Sequence, residues 1–341
     1  MMHSQKFKKM FPKVYKSMGR DTEQGVVVVG GGAAGMAAAL AASRQGATVT
    51  VLERMHRVGK KLLATGNGRC NFTNSDLSID HYHGGNPQFI LDVLNQFHLS
   101  DTLSFFEKLG VEPVVENDGY IYPASGQSSS VLDVLRYEMN RLGVEVVCDT
   151  KIDRVEKIGA GYQCRSSDGT VYSAASVILA TGGKSYPNLG SNGSGLKIAE
   201  RIGHKVREPF PALVQVVLDA PFLKRLSGLR IKGRAQSFIN GKVCSSERGE
   251  LLFTDYGLSG IPILQISRSV SLNAKTGYPM GIHLDLFPDT PLQQLASLIS
   301  KRITHDPHKT IEMSFVGLLH KRLITVILKE AGFDSMDRLC G

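Results

Sequence analysis

The sequence predicts an α/β protein in which a Rossmann-like nucleotide-binding domain is followed by a β-rich and then a helical region. Three observations support this fold class. Four valines at residues 26–29 precede GGGAAG, an alanine-rich helical run and a second strand, ATVTVLER, which together make a βαβ unit. A later strand, VYSAASVILATGG, ends in two glycines. Beyond Gly203, short apolar segments separated by turns indicate mostly antiparallel strands.

Length and composition fit a globular protein with more than one core. The chain has 341 residues, of which 42% are hydrophobic and 21% charged, values that disfavour wholesale disorder. No segment approaches the roughly 20 consecutive apolar residues of a membrane-spanning helix, and the first 25 residues lack the apolar core of a signal peptide. We therefore expect a cytoplasmic protein with no membrane partner.

The distribution of charge and the spacing of the cysteines and histidines disfavour nucleic-acid binding and metal binding. The net charge of +9 comes partly from residues 1–25, which contain six Lys or Arg and are predicted to form a disordered basic arm. No basic stripe interleaved with aromatic residues follows, so no nucleic-acid partner is expected. The five cysteines contain no C-x-x-C pair, and His81 with His83 lacks further ligand spacing. We expect no bound metal.

Changes in pattern along the chain predict four regions. After the arm at residues 1–25, residues 26–203 are predicted to form the nucleotide-binding domain, residues 204–289 a β-rich insert and residues 290–341 a helical lobe. Within the first domain, the apolar spacing of residues 86–109 and 127–142 is helical, and GYIYPASG between them has the pattern of a strand and turn. In the last region, residues 315–331 are predicted to form one helix.

The glycine turn is the strongest candidate site, because GxGxxG here directly follows a strand and begins a helix. Gly30 allows the tight turn, Gly32 lets the backbone approach a pyrophosphate, and Gly35 lets the helix pack closely on the strand. Ala33 and Ala34 begin the helix, whose N-terminal N–H groups favour an anion. The pattern predicts a dinucleotide-binding site.

An acidic residue closes the second strand at the expected distance. Glu53 lies eighteen residues after Gly35, where its carboxylate can accept hydrogen bonds from both ribose hydroxyls and repel a 2′-phosphate. Arg54 follows it. A solvated Glu53 beside a purely structural glycine turn is the alternative interpretation.

A polar loop follows at residues 59–74, with the sequence GKKLLATGNGRCNFTN. Its cations can bind phosphate, and its asparagines can satisfy the ribityl and isoalloxazine heteroatoms of a flavin. An ordinary surface loop with Asn turns is the alternative. The candidate cofactor-binding residues of this loop are Lys60, Lys61, Asn67, Gly68, Arg69, Cys70, Asn71 and Asn74.

The third candidate element is the strand end at Thr181, Gly182 and Gly183, where small residues let the backbone come close to a ligand. No catalytic base is identifiable. Tyr186 and Tyr256 are polar aromatic residues that could face a substrate, but the pattern favours packed tyrosines at strand ends.

Several segments together resemble one family. GGGAAG, GKKLLATGNGRCNFTN, ATGGKSYPNLGSNGSG, PFPALV and GELLFTDYGLSGIPILQISR are similar to motifs of the BaiN-like, aminoacetone-oxidase-type bacterial NAD(P)/FAD-dependent oxidoreductases. The resemblance runs from about Val26 to the C-terminus. It implies a two-dinucleotide-binding-type FAD domain interrupted by the insert, FAD as the cofactor, NAD(P)H as a possible electron donor, and a small organic substrate.

The resemblance also exposes a difference at the C-terminal end. Members of the family continue beyond the helical lobe into a segment that completes the FAD domain, whereas this sequence stops at Gly341. We therefore expect weak FAD binding by this chain. Two alternative functions remain at this stage: a dehydrogenase that binds NAD alone, and a flavoprotein with a role in RNA modification or regulation. The substrate and the oligomeric state have no readable signature.

Overall fold

The computed structural model describes residues 22–306 and 308–333. The predicted basic arm lies outside the described residues except for its last four positions. The chain divides between Arg207 and Glu208 into two compact units. Among the described residues, no helix is long and apolar enough to cross a membrane.

The first unit contains the predicted βαβ unit and a small additional sheet. Its strands are β1 (Thr22–Val29), β2 (Val49–Leu52), β3 (Thr73–Asn74), β4 (Pro113–Val115), β5 (Tyr120–Pro123), β6 (Glu145–Val147), β7 (Ile152–Ile158), β8 (Gly161–Ser166) and β9 (Val171–Leu179). Its helices are α1 (Ala33–Arg44), α2 (Pro87–Leu94), α3 (Leu99–Lys108), α4 (Ser128–Arg141) and α5 (Ser194–Arg201).

The main sheet of this unit is mixed, with strand order β6-β2-β1-β9-β8-β7. Strands β6, β2, β1 and β9 are parallel, and Val28 of β1 lies opposite Val51 on one side and Ile178 on the other. Strand β8 is antiparallel to both of its neighbours, β9 and β7. The connections from β7 to β8 and from β8 to β9 are too short for the helical crossover that parallel strands need, so the chain reverses direction at each of them.

The valines of β1 supply both faces of this sheet, as alternation along a strand requires. Val28 is fully buried with Met36 and Leu40 of α1 and with apolar residues of α4 on one face. Val27 and Val29 belong to the core on the opposite face. A strand buried on both faces explains why the run is continuously apolar and not alternating.

A charged contact joins the two helices on the first face. Glu138 of α4 accepts hydrogen bonds from Arg141, at 2.6 and 2.8 Å, and from Arg44 of α1, at 3.1 Å. The bonds from Arg141 and then Arg44 lower the pKa of Glu138 to about 2. The carboxylate therefore stays ionised and keeps both arginines in place at neutral pH.

The predicted helix at residues 86–109 is two helices, α2 and α3, beside a three-stranded sheet of order β3-β5-β4. The chain leaves the helical path after Asn95 and restarts at His98, whose backbone N–H donates to the Asp101 carboxylate at 2.8 Å. This capping interaction begins a new helix within a continuous helical apolar pattern. The helix predicted at residues 127–142 is confirmed as α4.

The second unit is built on an antiparallel sheet of order β10-β13-β12-β11-β14. Its strands are β10 (Val216–Val217), β11 (Arg230–Ile239), β12 (Lys242–Phe253), β13 (Gly257–Ser259) and β14 (Met280–Asp285). Its helices are α6 (Leu223–Leu226), α7 (Ile261–Asn273), α8 (Leu292–His305), α9 (Ile311–Phe315) and α10 (Lys321–Glu330). The predicted antiparallel character is confirmed.

Three details of this unit differ from the sequence predictions. The predicted strands KVCSS and ELLFTD are one strand, β12, which pairs with β11 from Lys242 to Leu252 with one irregularity in register. Helix α7, which was not predicted, buries Ile263 and Ile266 against the sheet. The predicted helix at residues 315–331 is broken between α9 and α10, where Gly317 has a φ of +80°.

Candidate functional site: a nucleotide cavity

A cavity of about 580 Å³ lies in the first unit at the carboxyl ends of β1, β2 and β9 and at the start of α1. This is where open α/β sheets bind their ligands. Ten of the predicted site residues line it: Gly30, Gly32, Ala33, Ala34, Glu53, Arg54, Lys60, Lys61, Thr181 and Gly182. Three predicted elements therefore meet at this cavity: the glycine turn with Glu53 and Arg54, the first lysines of the polar loop, and the strand end at Thr181 and Gly182.

The three glycines of the turn differ in what surrounds them. Gly30 has a φ of +110°, and a Cβ there would lie 2.5 Å from the Ala180 carbonyl oxygen. A Cβ on Gly35 would lie 1.8 Å from the Gly30 carbonyl oxygen, so this glycine allows the close packing of α1 on the turn. A Cβ on Gly32 would meet no atom within 4 Å. The backbone at Gly32 therefore borders open space inside the cavity.

The start of α1 offers hydrogen-bond donors to that space. Gly32 is the N-cap residue and provides no side-chain hydrogen bond to the helix. The first N–H groups of a helix have no partner within the helix, and the helix dipole places partial positive charge at this end. The turn can therefore bind an anion such as a pyrophosphate.

Glu53 holds the turn in place. Its side chain is buried, with 8% exposure, and it accepts hydrogen bonds from the Gly31 N–H at 2.6 Å and the Met55 N–H at 2.8 Å. One carboxylate oxygen is used in each bond, and each has a further lone pair. The carboxylate thus has a structural role that the sequence did not predict, while it lies at the cavity where ribose binding was expected.

Arg54 lines the same cavity with a cationic side chain. Its Nη1 atom is buried and has no hydrogen-bond partner among the described residues. A buried donor without a partner costs free energy.

The two lysines of the polar loop extend to another loop. Lys61 Nζ donates to Ser191 Oγ at 2.7 Å and to the Ser185 carbonyl oxygen at 3.4 Å. Lys60 Nζ lies 3.5 Å from the Asn188 carbonyl oxygen. Ser191 also lines the cavity. This contact could not be predicted from the sequence, because no local pattern in residues 185–191 indicates that they lie beside residues 60 and 61.

The remaining eight predicted site residues do not line this cavity: Gly35, Asn67, Gly68, Arg69, Cys70, Asn71, Asn74 and Gly183. Arg69 forms an ion pair with Glu116, and its guanidinium carbon lies 4.1 Å from the centre of the Tyr122 ring. The hydrogen bond from Arg69 lowers the pKa of Glu116. The charge predicted to bind phosphate is therefore paired elsewhere.

The asparagines and the cysteine of the polar loop also make contacts within the fold. Asn71 Nδ2 donates to the Thr73 and Ile121 carbonyl oxygens at 3.0 and 3.2 Å. Asn74 Nδ2 donates to the Asp118 carbonyl oxygen at 3.0 Å. Cys70 is 5% exposed, and burial raises the pKa of its thiol. The structure gives these residues roles in joining the loop to β5 and its neighbours, and their cofactor roles stay predictions.

The two tyrosines considered as substrate contacts are both more exposed than expected. Tyr186 is 70% exposed, which shows that its interpretation as a packed strand-end residue was wrong. Its backbone is left-handed, with a φ of +57°. Tyr256, in the second unit, is 44% exposed, and its hydroxyl donates to Gln215 Oε1.

Comparison with known proteins identifies the family. The model of the HI0933-like protein Rossmann domain matches residues 24–311, which is most of the chain. The chain belongs to the HI0933-like family. The resemblance inferred from the motifs is thereby confirmed, as are the Rossmann-type fold with an additional antiparallel domain and the assignment as a flavoprotein oxidoreductase.

Two curated relatives have different named activities. The chain is 38% identical over 305 residues to a 3-dehydro-bile acid delta(4,6)-reductase of Clostridium scindens, a match that covers 89% of this chain and 74% of that protein. It is 30% identical over 301 residues to a ribosomal RNA dihydrouridine synthase of Escherichia coli, with coverage of 87% and 72%. A solved flavocytochrome c3 fumarate reductase matches with a TM-score of 0.41 and 20% identity, over 67% of this chain and 49% of that one.

Proposed function

We propose that the cavity binds the ADP half of FAD and that the chain reduces a carbon–carbon double bond conjugated to a carbonyl group in a small organic substrate, with a nicotinamide nucleotide as electron donor. One observation carries the proposal: the open space beside Gly32, at the start of α1, lies in a cavity that the cationic residues Arg54, Lys60 and Lys61 also line. An anionic ligand held close to backbone fits both features.

The charges around the cavity support an anionic ligand. Five cationic residues line it, namely Arg54, Arg57, Lys60, Lys61 and Lys151, of which Lys151 is ion-paired with Asp153 at 2.6 Å; Glu53 is the acidic residue among the lining residues. Basic side chains at one surface repel one another unless an anion lies between them. A pyrophosphate near the cations and a ribose near Glu53 match this distribution of charge.

The proposed reaction rests on what the two named activities share. In a 3-oxo steroid, double bonds at positions 4 and 6 are conjugated to the carbonyl, and dihydrouridine is uridine with two hydrogens added across a ring double bond next to a carbonyl. Both relatives are therefore named for adding hydrogen to a conjugated double bond. FAD, when bound and reduced, supplies the hydride for such a step. The chain's own residues bind and orient the cofactor.

The test uses the full chain loaded with FAD under anaerobic conditions. We expect NADH or NADPH to bleach the flavin absorbance, and a 3-oxo-4,6-diene steroid or a simpler enone to restore it. A flavin that no conjugated enone reoxidises would overturn the proposed reaction. A Gly32→Val variant, in which the cavity is partly filled, is the control for specific binding.

Reduction of uridine in RNA is the second candidate, favoured by the two relatives named as ribosomal RNA dihydrouridine synthases and by the net charge of +9. Unmodified ribosomal RNA serves as a parallel oxidant in the same experiment. Reoxidation by RNA at low salt, but by no enone, would replace the small-molecule proposal with this one.

A further inference from the structure

A buried serine, Ser191, lies at the wall of the nucleotide cavity. It is 4% exposed, and it is one of the residues that line the cavity. Its hydroxyl oxygen lies beside the end of β9, because a Cβ on Gly182, which also lines the cavity, would be 2.6 Å from Ser191 Oγ. The hydroxyl group is therefore next to backbone that borders the cavity.

The hydrogen bonding of Ser191 leaves one donor unused. Lys61 Nζ lies 2.7 Å from Ser191 Oγ, and an ammonium group can only donate, so the serine oxygen is the acceptor. The hydroxyl hydrogen of Ser191 has no acceptor among the residues that the structure describes. Two other buried serines, Ser128 and Ser267, each donate to a backbone carbonyl oxygen, at 3.1 and 2.7 Å. A buried O–H group without an acceptor costs free energy, so Ser191 differs from them in having a hydrogen to donate to a ligand.

The groups around Ser191 favour an anionic acceptor. The Lys61 ammonium group carries a positive charge and, by donating to Ser191 Oγ, makes the remaining O–H a stronger donor. Helix α5 begins at Ser194 beside the same cavity, and Gly195 and Leu196 of its first turn line the cavity. The first N–H groups of a helix lack partners within it and lie at the positive end of its dipole. A phosphate oxygen fits these surroundings better than a neutral acceptor does.

This part of the cavity wall adjoins the glycine turn. A Cβ on Gly30 would lie 3.0 Å from Thr181 Cα, and Gly182, which lies beside Ser191, is the next residue in the chain. A Cβ on Gly195 would lie 1.7 Å from Thr181 Oγ1, so the start of α5 packs against the same strand end. A diphosphate bound at the turn therefore has the Ser191 hydroxyl and the start of α5 as neighbouring donors.

We propose that Ser191 is a cofactor-binding residue whose hydroxyl donates a hydrogen bond to a phosphate oxygen of the bound nucleotide, and that Lys61 is the positioning residue that directs this hydroxyl. The inference rests on the proposed function, because it requires the ADP half of FAD in the cavity. Lys61 occupies one lone pair of the serine oxygen, so the hydroxyl hydrogen points away from the ammonium group and toward another acceptor. The resulting bond to phosphate is charge-assisted.

The test measures calorimetric binding of ADP, and of adenosine, which lacks phosphate, to wild type, Ser191→Ala and Ser128→Ala. Ser128 is the matched control, because it is also 4% exposed and does not line the cavity. Ser191→Ala should bind ADP about 10- to 100-fold more weakly, the effect of losing a hydrogen bond to a charged group. Its adenosine affinity, and the ADP affinity of Ser128→Ala, should equal those of wild type. Unchanged ADP binding by Ser191→Ala, or an equal loss for adenosine and ADP, would overturn the proposal.

Two lysine variants test whether Lys61 directs the hydroxyl. Lys60→Met and Lys61→Met each remove one positive charge that lines the cavity, and of these two lysines it is Lys61 that contacts Ser191. Lys61→Met should therefore weaken ADP binding more than Lys60→Met does. Adding Ser191→Ala to Lys61→Met should cost less affinity than the same change in wild type. Equal losses for the two lysine variants, with an undiminished cost in the double variant, would overturn the positioning role of Lys61.

Urea unfolding of each variant separates binding from folding. A Ser191→Ala protein that is less stable than wild type but binds ADP equally well would overturn the proposal, because the serine would then act in the fold alone. If Ser191→Ala does not fold, Lys61→Met, which keeps the serine, decides the question by its comparison with Lys60→Met. Failure of wild type to bind ADP would instead refute the proposed function, on which the inference depends.

Discussion

The glycine turn at residues 30–35 and the polar loop at residues 59–74 both have the sequence character of cofactor-binding segments, yet the structure uses them differently. In the turn, Gly30 can lie close to the Ala180 carbonyl oxygen and Gly35 close to the Gly30 carbonyl oxygen because neither glycine has a Cβ. Gly32 borders open space. In the loop, Arg69, Asn71 and Asn74 bind other parts of the unit. A glycine motif determines the local backbone geometry directly. The hydrogen-bond partners of polar side chains depend instead on which residues the fold places near them.

The largest effect in this comparison is expected for Gly35→Ala. A Cβ would lie 1.8 Å from the Gly30 carbonyl oxygen, and neither atom can move without shifting β1 or α1. Overpacking of this severity should destabilise the chain by about 3 kcal/mol or more, measured by urea unfolding. Gly32→Ala, at an open position in the same turn, is the control and should unfold like wild type. Similar stability of the two variants would contradict the steric assignment.

The next largest effect is expected for Gly32→Val, which should weaken FAD binding and leave the stability of the fold unchanged. The side chain has room in the free protein, so the unfolding midpoint should stay close to that of wild type. The same side chain fills the space assigned to the pyrophosphate, and FAD affinity should fall by ~100-fold in a fluorescence titration, which corresponds to about 2.8 kcal/mol. Unchanged affinity would show that the ligand does not approach the turn.

Glu53→Gln should lower both the stability of the fold and the affinity for FAD, each to an intermediate degree. A glutamine has one oxygen where the carboxylate has two, so either the Gly31 N–H or the Met55 N–H loses its acceptor. The expected cost is about 1–3 kcal/mol of stability, together with weaker FAD binding. Glu107→Gln, an exposed position on α3, is the control. A fully stable Glu53→Gln protein would mean that the carboxylate does not brace the turn.

The smallest effect is expected in the polar loop. Because Arg69 is paired with Glu116 and does not line the cavity, Arg69→Gln should leave FAD affinity within about twofold of wild type. Arg54→Gln, which removes a positive charge that lines the cavity, should weaken FAD binding by about tenfold or more. If the two variants lost affinity equally, the distinction between Arg54, which lines the cavity, and Arg69, which is paired with Glu116, would fail.

The parts of the fold that local pattern determines could be predicted from the sequence. The valine run, the glycine spacing and the alanine-rich helix specify the βαβ unit, and the period of residues 127–142 specifies α4, because each depends on residues that are near in the chain. The position of Glu53 at the end of β2 follows from the same unit. Its hydrogen bonds to the Gly31 and Met55 N–H groups could not be predicted, since they depend on the turn and strand lying side by side.

The other contacts of the site could not be predicted because they join residues that are far apart in the chain. Lys61 meets Ser191 across 130 positions and Arg69 meets Glu116 across 47, and nothing in either local sequence selects those partners. Helix α7 was missed because Pro262 and the preceding strand-like residues obscure a helical period, although proline is well tolerated in the first turn. The break between α2 and α3 was missed because the apolar period continues through it and the capping by Asp101 is a local interruption.

The most direct test of the central claim is a competition between ADP and FAD for the full chain. The account places the ADP half of the cofactor at the glycine turn, so ADP should displace bound FAD, and riboflavin, which lacks that half, should displace it far less. The displacement should be retained in Arg69→Gln, and direct calorimetric binding of ADP should be lost in Gly32→Val. FAD that stays bound at saturating ADP, or ADP binding to Gly32→Val with wild-type affinity, would contradict the account.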